Sequence, residues 1–327
     1  MEYSLKLLKK KKSQFDKVRD AHDQNWVDLF FPSWTVPYLR LSRADRPAGT
    51  WLLLIPCWWG ILLAANEKNN FGLVMSDFWL LIACTIGAFL MRGAGCTWND
   101  ILDKDFDKLV ERTRSRPIPA GQITVIKAII WMAIQALCAF MILLTFNKIS
   151  ILIAISSLIL VAIYPLSKRF TWWPQLFLGL TFNWGILVGY SASKNQISLA
   201  ALILYAAGIS WTLFYDTIYA FQDHKDDIIV GVKSTARLFG KSTKIWLSMF
   251  LLIFWFLAGI AVLLNSVNGN MSKIIVSTIG ICFLLAHLFT QLVKLDIKSE
   301  NSCMKTFQSN RNAGLILVTT LFTTCFL

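Results

Sequence analysis

Polar positions along this chain are confined to short stretches between nine apolar runs: Trp51–Ala65, Phe78–Cys96, Thr124–Phe146, Ile149–Tyr164, Trp173–Tyr190, Leu199–Ala220, Ile245–Leu264, Ile274–Val293 and Ala313–Leu327. A helix needs about 20 residues to cross the hydrocarbon layer. Each run therefore predicts a membrane-spanning helix, the first and last being short. Pro47 suits the opening position of the first helix. The pattern predicts an all-α polytopic membrane bundle with nine transmembrane helices. Residues 1–46 form an N-terminal segment ahead of a single domain over 47–327.

Charge fixes the expected orientation. With the N-terminus inside, the inner segments hold 26 of the 32 Lys and Arg residues. The outer segments hold Lys68, Lys148, Lys194 and Lys273. This asymmetry is a strong positive-inside signal, with the N-terminus cytoplasmic and the C-terminus outside. The net charge of +13 thus reads as topology, and no nucleic-acid partner is expected. The chain is 327 residues long, 56% hydrophobic and only 16% charged, where a soluble domain carries about 25%. That excludes a disordered chain and an ordinary soluble enzyme. The seven cysteines show no CxxC or metal-type spacing and read as small core hydrophobes. No secretory signal is visible, and Asp16, Asp20, Asp23 and Asp28 make the N-terminus too acidic for a transit peptide. The expectation is a bacterial inner (cytoplasmic) membrane rather than a mitochondrial one. Trp26, Phe30, Phe31, Trp34 and Tyr38 place residues 26–41 at the membrane surface.

Eight of the 19 acidic residues fall in two windows: Asp100, Asp103, Asp105 and Asp107, then Asp216, Asp223, Asp226 and Asp227. Both lie at cytoplasmic ends of spans, where clustered carboxylates beside an apolar bundle are costly and mark function. If the helix continues, Asn99, Asp103 and Asp107 recur every four residues on one face, a stripe of roughly 12 Å. Such a row of oxygens suits Mg²⁺, and two such ions can bridge a diphosphate. Asp216, Asp223 and Asp227 share a face in the second window. Asp100, Asp105 and Asp226 fall on other faces, to be solvated or to support the ligands.

Cations adjoin the acids. Arg112 and Arg116 are four apart, and arginine suits bidentate contact with phosphate oxygens. Pro117 and Pro119 end any helix there, so the segment folds back. Tyr164, Lys168 and Arg169 follow another span, as interfacial anchors or as phosphate partners. Arg92 sits inside a span, about two turns before the first acid row. A charge there needs a carboxylate or an anionic substrate. Asn183, inside the fifth span, reads alone as helix–helix glue. No GxxxxGK[ST], HExxH or GxSxG motif is present, and His22, His224 and His287 show no ligand spacing.

These residues together resemble the UbiA superfamily of intramembrane aromatic prenyltransferases. The matching stretches are Arg43-Ala-Asp-Arg46-Pro47-Ala-Gly49, and Asn99-Asp-Ile-Leu-Asp103-Lys-Asp-Phe-Asp107 with Val110-Glu-Arg112-Thr-Arg-Ser-Arg116-Pro117. Tyr164-Pro-Leu-Ser-Lys168-Arg169, Tyr215-Asp216-Thr-Ile-Tyr219-Ala-Phe-Gln-Asp223-His-Lys-Asp226-Asp227 and Gly231-Val-Lys-Ser-Thr-Ala236 complete the set. The last two look most like the 4-hydroxybenzoate branch of the family. Ala220 stands where some members carry a further acid.

The resemblance implies nine helices around a central cavity and Mg²⁺-dependent transfer from polyprenyl diphosphate to the carbon ortho to the hydroxyl of 4-hydroxybenzoate, in ubiquinone biosynthesis. It implies metal ligands among Asn99, Asp103, Asp107, Asp216, Asp223 and Asp227. Arg112, Arg116, Tyr164 and Lys168 would bind diphosphate. Arg46, Arg92 and Asn183 would meet the aromatic substrate, and Asp103, Asp223 and Arg92 would be catalytic. The same chemistry on haem, a naphthoate or homogentisate is the near alternative. A divalent-cation transporter or channel is the distant one, and it expects acids nearer the bilayer midplane.

Overall fold

The structure, a computed structural model, describes residues 25–67, 71–222, 224, 228, 231–266 and 269–327. Among them are thirteen α-helices and no strand. They are α1 (Trp26–Phe30), α2 (Val36–Leu41), α3 (Ala48–Asn66), α4 (Met75–Leu102), α5 (Lys104–Leu109), α6 (Val125–Leu143), α7 (Lys148–Phe170), α8 (Pro174–Lys194), α9 (Leu199–Ala220), α10 (Thr235–Phe239), α11 (Thr243–Ser266), α12 (Met271–Lys294) and α13 (Glu300–Thr324).

Among the described residues, eight helical stretches are long and apolar enough to cross a membrane. The ninth predicted span falls in α13, which starts earlier than the apolar run does. Ser299 caps it by accepting from the Ser302 N–H, and its first half is polar. Burial explains why that half is tolerated: Asn310 is enclosed and accepts from the Trp211 indole at 2.9 Å. Interhelical polar contacts of this kind hold membrane helices together. The seventh helix also departs from expectation. It continues through Pro165 to Phe170, because one missing N–H is tolerated within a spanning helix.

The chain divides into two compact units: Met1–Gly49 with Leu90–Ala139, and Thr50–Phe89 with Phe140–Leu327. In the larger unit, α9 packs against α8, α11 and α13. Trp59, Trp211 and Phe254 are fully buried, Phe254 stacking on both indoles and the two indoles tilted on each other, at 4.9 to 6.1 Å between ring centres. These two tryptophans are core residues. Glu67 ties helix ends together, accepting from the Tyr190 hydroxyl and from Asn265 Nδ2 at 3.1 Å.

Apolar burial alone does not drive helices together in lipid, so close backbone packing has to contribute. Gly60 and Gly189 provide it where α3 crosses α8. A Cβ on Gly60 would overlap the carbonyl oxygen of Ile186, and one on Gly189 that of Cys57. Neither backbone atom has anywhere to swing. Gly60→Ala is therefore expected to destabilise the protein by about 3 kcal/mol, the upper part of the overpacking range. Thermal denaturation in detergent checks this, and an unchanged midpoint would contradict the packing.

In the smaller unit, α1 folds onto α2. The Trp26 indole donates to the Ala44 carbonyl at 2.8 Å, and Arg40 pairs with Asp28 at 2.9 Å. That docking turns Phe30 and Trp34 outward, 78% and 74% exposed, as a membrane-surface segment requires. The α2 turn is bound to α6 by Ser42, whose hydroxyl accepts from Trp131 at 2.8 Å and from Gln135 at 3.0 Å. Leu41, Ile118, Ile123 and Ala128 form a small core beneath.

Candidate active site

The first acid window lies in the smaller unit, where α4 ends. The helix stops at Leu102, and Asp103 opens α5 with a non-helical backbone. The break is small. The Asp103 N–H still bonds to Asn99 O at 2.9 Å and the Asp107 N–H to Asp103 O at 2.8 Å. Spacing by four thus survives across the junction, and Asn99, Asp103 and Asp107 follow one another along it. Asp103 is 1% exposed and Asp107 6%. The Asp103 carboxylate does not cap α5, although aspartate at that position usually accepts from the next turn. Burial pushes the Asp107 carboxyl above its ordinary range, against the opposing pull of Arg116.

Asp100 is neither solvated nor on another face. It is 0% exposed, and spacings of three and seven put it in one stripe with Asp103 and Asp107. Its Oδ1 accepts from Arg43, and Arg116 reaches the same oxygen at 3.4 Å and Asp107 Oδ2 at 3.0 Å. Asp100 is thus a support for the arginines. Asp105 is solvent-exposed, beside Lys108 at 3.6 Å. Between Val110 and Thr124 the chain forms no helix and folds back around Pro117, which brings Arg116 under the acids. Arg112 is half-buried in the same loop.

Arg92 and Arg46 differ in surroundings. Arg46 forks onto Asp45 at 3.1 and 3.0 Å. The Arg92 guanidinium lies over Gly49 at the start of α3, where a Cβ would overlap it. The overlapped atoms are the end of a flexible side chain, so Gly49→Ala is expected to fold normally but to displace Arg92. If Arg92 binds the acceptor's carboxylate, the aromatic KM should rise about tenfold, one charge-assisted hydrogen bond weakened, with the prenyl diphosphate KM unchanged. Steady-state kinetics in both substrates checks this.

The second window is described in part: Asp223, Asp226 and Asp227 lie outside the described residues, while Asp216 is half-buried near the end of α9. Around it, the Thr217 and Thr235 hydroxyls meet at 2.7 Å and Gln175 accepts from the Thr235 N–H at 3.1 Å. The Lys233 N–H bonds to the Lys168 carbonyl at 3.2 Å, joining the end of α7 to the segment after this window. Tyr164 and Lys168 are half-buried on that end. Asn183 joins helices through its Nδ2, while its Oδ1 is buried without a hydrogen-bond partner among the described residues. It is 0% exposed, donates to Gly179 O and Thr212 Oγ1, both at 2.8 Å, and is covered by Gly208.

A family model described as the UbiA prenyltransferase family matches residues 53–316. The chain belongs to the UbiA prenyltransferase family. It is 46% identical over 284 residues, 86% of this chain and 72% of the other, to the Rattus norvegicus protein named 4-hydroxybenzoate polyprenyltransferase, mitochondrial. Its fold is that of an apo UbiA homologue from Aeropyrum pernix K1 (TM-score 0.68, 22% identity, 84% of this chain and 97% of that one). An Archaeoglobus fulgidus UbiA homologue bound to GPP and Mg²⁺ is similar too (TM-score 0.65, 19% identity, 89% of this chain and 100% of that one).

Among the described residues of this UbiA protein, no three His, Cys, Asp or Glu side chains already form a metal cage. The donors nevertheless fit a hard cation. Asp103 and Asp107 offer buried carboxylate oxygens and Asn99 and Asp216 half-buried ones, and beside them Asp100 Oδ2 is buried without a hydrogen-bond partner among the described residues. Sequence reasoning passed over Arg43 and Gln135. Arg43 was visible only within the stretch it shares with Arg46, and Gln135 only as a polar residue in the third apolar run.

Proposed function

We propose that this membrane enzyme transfers a polyprenyl group from polyprenyl diphosphate to the ring carbon ortho to the hydroxyl of 4-hydroxybenzoate. The observation that carries this reading is the buried row Asp100, Asp103 and Asp107 with Arg43 and Arg116. It occurs in a chain 46% identical to a protein named for that reaction.

Asn99, Asp103 and Asp107, with Asp216, Asp223 and Asp227 of the second window, would hold Mg²⁺. Bound there, the cation offsets charge on the diphosphate. Arg112, Arg116 and Lys168 take the remaining phosphate charge and Tyr164 donates a hydrogen bond, so the leaving group is stabilised as the prenyl C1–O bond breaks. Arg92 holds the acceptor's carboxylate, which aims the ring carbon at C1. A new carbon–carbon bond forms and the ring carbon gives up its proton. Apolar walls keep water from the allylic carbon, which otherwise ends as an alcohol.

The relative's name moves the expected location. The acidic N-terminal segment favoured a bacterial membrane, but the rat protein is named mitochondrial, and we place this chain in the mitochondrial inner membrane.

Incubation of the purified protein with radiolabelled 4-hydroxybenzoate, a polyprenyl diphosphate and Mg²⁺ tests the reading. Label is expected to become lipid-soluble, and EDTA should abolish this until Mg²⁺ is restored. Water-soluble label with every chain length tried, from folded protein, overturns the acceptor.

A further inference from the structure

Arg43 occupies a position that disfavours it. Its backbone is left-handed, with φ of 57°. It closes α2 in a Schellman turn: its N–H bonds to Arg40 O and the Ala44 N–H to Leu39 O, both at 3.0 Å. That place usually takes glycine, which has no Cβ to clash. An arginine held there points to a use for its side chain. The guanidinium spans two partners. One amino group donates to the Arg40 carbonyl at 3.3 Å, the other to Asp100 Oδ1. Arg116 shares that oxygen through the same nitrogen that holds Asp107. Ser42, clamped by Trp131 and Gln135, leaves the turn little freedom to move.

We propose that Arg43 is a positioning residue: by neutralising Asp100 from the N-terminal segment, it keeps the Arg116 guanidinium on Asp107 at the diphosphate end of the site. The inference rests on the prenyl-transfer reading and assigns Arg43 no contact with substrate. A fully buried carboxylate must be paired. With Arg43 present, the charge of Asp100 is paired through Oδ1 and Arg116 bridges it to Asp107. Without Arg43, Asp100 draws Arg116 to itself, and the phosphate-binding cation is misplaced although no residue facing the diphosphate has changed.

The test is binding, not turnover. Full-length protein in detergent is titrated with an unreactive prenyl thiolodiphosphate and Mg²⁺ by calorimetry, with thermal denaturation alongside. Arg43→Gly is expected to lose about tenfold in affinity, Arg43→Lys to recover part of it, and the Arg43→Gly/Asp100→Asn double variant to lose no more than the worse single. A purely structural role would move the melting point and leave the affinity of folded protein alone. Folded Arg43→Gly with wild-type affinity, or losses that add in the double variant, overturns the positioning role. Should the glycine variant not fold, Arg43→Gln, which keeps length and a donor but not the charge, decides by the same criterion. Wild-type protein that binds no analogue overturns the prenyl-transfer reading, and this role with it.

Discussion

Replacing Asp103 by alanine is expected to lower kcat/KM for prenyl transfer by about a thousandfold, roughly 4 kcal/mol of transition-state stabilisation, while the protein still folds. The reason is local. Asp103 stands at the break between α4 and α5, is almost wholly buried, and does not spend its carboxylate on capping the following helix. Its burial beside Asp100 and Asp107 sets like charges together, which a bound cation relieves. The loss is expected in the kcat/KM of protein that still melts cooperatively. Asp105→Ala is the internal control. Its side chain is 74% exposed, and its contact with Lys108 is a surface pair worth at most about 1 kcal/mol. Activity within about twofold of wild type is expected. Kinetics and melting curves on the two variants separate the roles. A full-activity Asp103→Ala protein would remove the first acid row from the site.

Arg116→Ala is expected to cost both activity and stability, the latter by about 3 kcal/mol. Arg116 joins two acids of the row, Asp107 at 3.0 Å and Asp100 at 3.4 Å. Asp100 keeps Arg43, but Asp107 loses its described ion pair. The acid dependence follows with a definite sign. Burial raises the Asp107 carboxyl above its ordinary value, and Arg116 opposes the rise. Taking Arg116 away raises it further. A carboxyl whose folded value is raised binds its proton more tightly when folded, so stability climbs as the pH falls through that value. The deficit of Arg116→Ala against wild type should thus be largest at neutral pH and shrink on mild acidification. Melting curves of both proteins across that range, without metal, check it. A deficit that grows with acid would contradict the pairing.

Much of the fold was legible because lipid imposes a simple rule: a spanning segment must satisfy its own backbone, so apolar length reads as helix. Leu199–Ala220 was located to the residue. The rule failed where burial rather than apolarity makes a helix. The α13 helix begins at Glu300, not Ala313, because its polar half packs on Trp211 through Asn310. The acid row was also legible, since spacing by four survives the helix break at Asp103. For Asp100 the supporting alternative holds and the solvated one does not, since it is buried and paired with Arg43. Arg43 was invisible in its role, as nothing in a sequence marks a left-handed arginine. Asn183 was legible as a polar link between helices, and its amide nitrogen does reach Gly179 and Thr212.

The measurement that bears most directly on the account is the structure of the product. Ring-labelled ¹³C-4-hydroxybenzoate and a polyprenyl diphosphate would be turned over by the purified protein, and the lipid extract read by NMR. The account predicts a new carbon–carbon bond at the ring position next to the hydroxyl, with carboxylate and hydroxyl both intact. A prenyl ether, a prenyl ester or unreacted acid from folded, metal-loaded protein would contradict it.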